Sequence, residues 1–161
     1  MSAYREQATF YRAALLLGLV RGERVIAWAD AAIADDPSAP AAFADIAITP
    51  AGELTLLRQS LLLLASEKES PAVVGALIDL IHGDLTSGRR SFGDTMTVLK
   101  QLRAFVAVGA SMNELLKTLG VDVAITAPGS RERAAAEERV RAWLRQHDAH
   151  AQIFLASGSE Q

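Results

Sequence analysis

Signals that begin α-helices recur from one end of this chain to the other, and they leave little room for other secondary structure. Thr49-Pro50 and Ser70-Pro71 each place a hydroxyl residue before a proline. A hydroxyl at the N-cap accepts a hydrogen bond from a free backbone N–H, and a proline at the next position lacks an N–H that would go unpaired anyway. Ser91 with Asp94 and Ser111 with Glu114 have capping-box spacing, and Ser130 with Glu132 is a further start. Each mark precedes an apolar periodic run.

The runs between these marks predict eight helices. The first covers Ala3–Leu17, with Tyr4, Ala8, Tyr11 and Leu15 as its stripe, and Gly18 ends it. The second covers Glu23–Asp35, with Val25, Ala29, Ala32 and Ile33 inward and Trp28 at the edge. Pro37 and Pro40 separate it from a short third helix, Ala41–Ile48. A fourth starts at Thr49-Pro50. Leu54, Leu57, Leu61 and Leu64 form its stripe, and Leu56, Leu62 and Leu63 nearly close the circle, which suits a central helix. The fifth, from Pro71, turns Val74, Leu77, Ile78, Ile81 and Leu85 inward.

Ser87 to Arg90 is a loop. A sixth helix follows with Met96, Leu99, Leu102 and Val106 inward, ending at Gly109. Ser111 opens a short seventh helix closed by Gly120. Val121 to Thr126 reads as an extended link, and Pro128-Gly129 as a turn. The eighth runs from Arg131 to Gln146, with Ala136, Val140, Trp143 and Leu144 as its packing face. Short links make neighbours antiparallel. The expected fold is all-α: one bundle of seven or eight helices over residues 1–150, with residues 151–161 as a C-terminal tail. A similarity between Ser38-Ala39-Pro40 and Glu69-Ser70-Pro71 has the interval of a helical repeat, but shared start chemistry explains it without one.

Composition narrows function mainly by exclusion. With 161 residues, half of them hydrophobic, the chain can bury a core without staples. The absence of cysteine removes disulfides, thiol nucleophiles and thiolate metal sites. A net charge of −3 supplies no field to attract nucleic acid. The five arginines of the eighth helix alternate with Glu132, Glu137 and Glu138, which is a solvated face and not a basic stripe. The sixth and seventh helices have the rhythm of a helix-turn-helix, yet the second of them offers only Asn113, Lys117 and Thr118 to a DNA groove. No run is long and apolar enough for a membrane helix, and Met1 to Arg12 lacks the pattern of a signal peptide. The expected setting is the bacterial cytoplasm, with neither membrane nor nucleic acid as partner.

The residues that could carry chemistry have plainer uses. His147 and His150 are three apart, but a zinc site requires at least one more ligand, and histidine suits a helix C-terminus. His82 stands near Asp79 and Asp84. Asp30, Asp45 and Asp79 lie in or beside apolar stripes, where pairing with Arg24 or Arg58 would satisfy them. No Glu-x-x-His pair, phosphate loop or nucleophile elbow occurs. The expectation is therefore a non-catalytic interaction or structural module, with no catalytic residue, cofactor or metal, acting on a protein partner or on itself as a homodimer. The candidate contact residues are Trp28, Asp30, Asp35 and Asp36 at the end of the second helix, and Ile153, Phe154 and Leu155 in the tail. Two alternatives are an inhibitor or immunity-type protein using an acidic patch of Asp30, Asp35, Asp36 and Asp45, and an enzyme in which His82 or His147 meets carboxylates in a pocket.

Overall fold

The computed structural model describes residues 3–105, 113–114, 117, 129–147 and 151–155. It is all-α, and no strand occurs among these residues. The helices are α1 (Ala3–Leu16), α2 (Gly22–Asp35), α3 (Ala41–Ile48), α4 (Leu54–Leu64), α5 (Pro71–Thr86), α6 (Phe92–Phe105), α7 (Arg131–His147) and the single turn α8 (Gln152–Leu155). Asn113, Glu114 and Lys117 are helical, as the expected helix after Ser111 requires. The rest of that helix, Gly109, the link Val121 to Thr126, His150 and residues 156–161 lie outside the described residues.

The chain divides into two compact units. The first holds α1 to α4, α5 as far as Leu77, and α8; the second holds α5 from Ile78, α6 and α7. In the first unit, α1 packs on α4, α2 on α3, and α3 on α4. The predicted stripe of α1 is the buried one, with Ala8, Tyr11 and Leu15 inside, joined by Phe10 and Ala14. From α4 come Leu57, Leu61 and Leu64. Thr9 is also buried; its hydroxyl donates to Arg5 O at 2.7 Å and accepts from Ser66 N at 2.9 Å, which ties the chain leaving α4 to α1.

Most start and stop signals act as expected. Ser70 Oγ accepts from Val73 N at 3.2 Å, Ser91 Oγ from Asp94 N at 3.1 Å, and Ser130 Oγ from Arg133 N at 3.1 Å. Gly18, at φ 69°, closes α1 in a Schellman turn, with Gly18 N donating to Leu15 O at 3.1 Å and Leu19 N to Ala14 O at 2.8 Å. Gly88, at φ 76°, follows α5 at the same position, with Gly88 N donating to Leu85 O at 3.3 Å and Arg90 N to Asp84 O at 3.1 Å. In both places the next helix starts four residues after the glycine, at Gly22 and at Phe92, and each of these helices has 14 residues. The recurrence in this chain is therefore a helix–glycine–helix connection, and not the Ser-Ala-Pro and Glu-Ser-Pro similarity.

Two expectations are corrected. Thr49-Pro50 does not start α4. The Thr49 hydroxyl donates to Asp45 O at 2.6 Å and so finishes α3. Pro50 to Glu53 forms a turn closed by Glu53 N on Pro50 O at 2.9 Å, and α4 begins at Leu54 without a side-chain cap. Nor is α4 a central helix buried on most sides. Leu56, Leu62 and Leu63 are 48%, 53% and 75% exposed. One stripe of α4 meets the core and the opposite face is open.

The turn at residues 50–53 rests directly on Gly22. A Cβ at that position would collide with the carbonyl oxygen of Ala51 and press on Leu57. Gly22→Ala should therefore destabilise the protein by about 1–3 kcal/mol through overpacking. Gly52→Ala, where a Cβ meets nothing within 4 Å, should be close to neutral. Urea unfolding midpoints of the two variants test the contrast; equal midpoints would show that the turn does not depend on Gly22.

Candidate functional site

Six aromatic rings run through the interior of the first unit. Tyr4 meets Phe43 edge-on at 5.8 Å, Phe43 lies 5.0 Å from Trp28, and Trp28 lies 5.1 Å from Tyr11. Tyr11 meets Phe10 at 5.4 Å, and Phe10 stacks on Phe154 at 5.1 Å. Such pairs contribute about 0.5–1.5 kcal/mol each beyond burial. Trp28 is buried, and its indole N–H donates to Gln7 Oε1 at 3.2 Å. The indole is thus occupied inside the unit, on the interior side of α2.

The C-terminal turn is held by the same region. Phe154 is buried against Phe10, and Leu155 is half-buried. The Tyr11 hydroxyl donates to Phe154 O at 3.2 Å, and Arg24 Nη2 donates to Leu155 O at 2.7 Å. The last carbonyls of a helix have no partner within it, so these two donors supply what α8 lacks. The side chain of Ile153 lies outside the described residues. Arg24, expected to pair with a buried aspartate, instead caps this turn. Asp30 and Asp45 do not require such a partner because both are exposed, as are Asp35 and Asp36. The Asp36 carboxylate accepts from Ser38 Oγ at 2.7 Å and Ser38 N at 2.9 Å, which holds its pKa below the ordinary carboxylate value.

In the second unit the polar groups also serve the fold. Asp84 accepts from Arg89 Nε at 3.0 Å and lies 3.5 Å from Arg90 Nη2, which braces the turn around Gly88. Arg133 sits over the Phe92 ring, 5.0 Å from its centre. His147 stacks on Trp143 at 4.3 Å, with Nδ1 3.0 Å from Trp143 O. His82 is half-buried on α5. Among the described residues no three His, Cys, Asp or Glu side chains come together to hold a metal ion, and no helix is long and apolar enough to cross a membrane.

The feature that sequence reasoning missed is the open face of α4. At about 100° per residue, Thr55, Leu56, Gln59, Leu62 and Leu63 share the side opposite Leu57, Leu61 and Leu64. All five are exposed, and none carries a charge. Leu54 at 43% and Ile48, at the end of α3 and 81% exposed, add apolar surface nearby in sequence. The outward side of α7, by contrast, carries Arg131, Glu132, Glu138, Arg139 and Arg145. The available signal was the missing charge: Arg58 is the sole ionisable residue in α4, and it is half-buried. None of the family models, curated proteins or solved structures compared with this chain matches it.

Two outcomes follow for the C-terminal turn. Phe154→Ala should cost about 3 kcal/mol, as expected for removing a packed aromatic ring; an unchanged thermal midpoint would show that α8 contributes nothing to the unit. Burial raises the Tyr11 pKa above 10.0, and Arg24 partly opposes the shift. The unfolded chain then releases this proton more readily than the folded one. The associated stability is present below pH 10 and is lost as pH rises through the folded value. Tyr11→Phe should remove that part of the alkaline decline, which urea midpoints between about pH 8 and pH 11 would measure.

Proposed function

We propose that this chain is a non-catalytic protein-interaction module that engages its partner through the outward face of α4. The observation that carries the reading is the exposure of Leu56, Leu62 and Leu63 on a face without a charged side chain. Scattered single leucines on a surface are ordinary, but three exposed leucines on one uncharged helix face are a mark of contact sites. Charged residues are also depleted at the centres of interfaces relative to the rest of a surface.

The disposition of polar groups supports the same reading. Tyr11, Arg24, Asp84, Arg89 and Arg90 are engaged in closing turns and capping a helix. Trp28 and Phe154 are inside the first unit, so the proposed contact moves from the end of α2 and the C-terminal turn to α4. Asp30, Asp35 and Asp36 stay on the surface, where they keep the module dispersed in water.

Site-specific photocross-linking in living cells tests the reading. A photoreactive residue in place of Leu63 should give a discrete protein adduct, and one in place of exposed Asp35 should not. Failure to form any adduct at Leu63, Leu62 or Leu56 would remove the proposal.

A further inference from the structure

We infer that the occupant of the α4 face is a second copy of this chain, paired with it across a two-fold axis. The inference rests on the reading of α4 as a contact face and names its partner. Three properties of the face point this way.

The first is charge. A two-fold axis sets a patch against itself, so any net charge near the axis faces its own sign. Like charges opposed across an interface are costly. Thr55, Leu56, Gln59, Leu62 and Leu63 carry none, so the face can meet its own image without repulsion. A face built for a charged partner would present complementary charge, and this one presents nothing of the kind.

The second is geometry. Leu56 and Leu63 are seven positions apart, which places them almost in line along the helix, as in a two-helix seam. An antiparallel pairing of α4 with its copy brings Leu63 of one chain to Leu56 of the other at both ends. Gln59 lies near the middle, where two amide side chains can donate to and accept from each other.

The third is area. Eleven residues of α4 give a contact about 16 Å long. Leu56, Leu62 and Leu63 supply its apolar surface, and Thr55 and Gln59 its uncharged polar part. Two such faces make a contact at the small end for association between proteins, which suits a weak and reversible dimer.

Sedimentation velocity of the full chain from about 5 to about 500 µM is the test. The weight-average mass should rise towards twice that of the chain. The rise should persist from low salt to about 1 M salt, because no ion pair holds the contact. Leu63→Glu and Leu56→Glu should each weaken association at least tenfold while leaving the helical circular dichroism and the melting temperature of the dilute protein unchanged. A chain that stays monomeric at the highest concentration overturns the inference, as does a dimer that both glutamate variants leave intact. A cross-linked adduct at Leu63 containing a different protein, with a monomeric purified chain, removes self-pairing and leaves the contact reading standing. Absence of both association and adduct removes both.

Discussion

The one-sided burial of α4 is the constraint from which the rest of the first unit follows. Leu57, Leu61 and Leu64 are spaced to fall on one side of the helix, and all three are inside. Packing that side on α1 sets α4 in place and leaves its other leucines no core to enter. The same contact fixes how the chain must arrive. The turn at residues 50–53 lies against the first residue of α2, where only a glycine leaves room for a carbonyl oxygen. Departure from α4 is fixed too, because Ser66 N is held by the buried hydroxyl of Thr9. A helix held at both ends and along one stripe cannot roll to hide Leu56 and Leu63.

The backbone solves the same problem twice. After α1 and after α5 a glycine in the left-handed region ends the helical path, and a helix of equal length follows at the same interval. The side chains around these two glycines differ. Apolar Leu19 and Val20 follow Gly18, whereas Arg89 and Arg90 follow Gly88 and bind Asp84. The entry to the second helix differs as well: Arg21 offers α2 no side-chain cap, while Ser91 caps α6. The second connection is therefore closed by polar contacts to Asp84. Similar backbone paths arise here from different local chemistry, which is why the sequence displays no obvious repeat at this interval.

Polar side chains in this protein are used to close the ends of helices. Tyr11 and Arg24 supply donors to the final carbonyls of α8, and the hydroxyls of Ser70, Ser91 and Ser130 receive the first N–H groups of α5, α6 and α7. Leaving such groups unpaired in a buried setting costs about 1–3 kcal/mol each. That demand accounts for the placing of Tyr11, Arg24, Ser70, Ser91 and Ser130. Trp28, conspicuous because tryptophan is scarce, is the third in a run of six rings and gives its N–H to Gln7.

Sequence alone was enough for the helical class and for most helix boundaries, because capping, glycine stops and apolar periodicity act over a few residues and need no distant partner. It was enough for Ala8, Tyr11, Leu15, Leu57, Leu61 and Leu64 as core residues for the same reason. Tertiary structure decided the rest. Whether Thr49 opened α4 or closed α3 depended on which carbonyl its hydroxyl reached. Whether Phe154 was a free arm or a core ring depended on Phe10, more than a hundred residues away. The outward leucines of α4 had the composition of a buried surface, and only the packing of α1 and α3 on that helix, which takes in Leu57, Leu61 and Leu64, left them facing water.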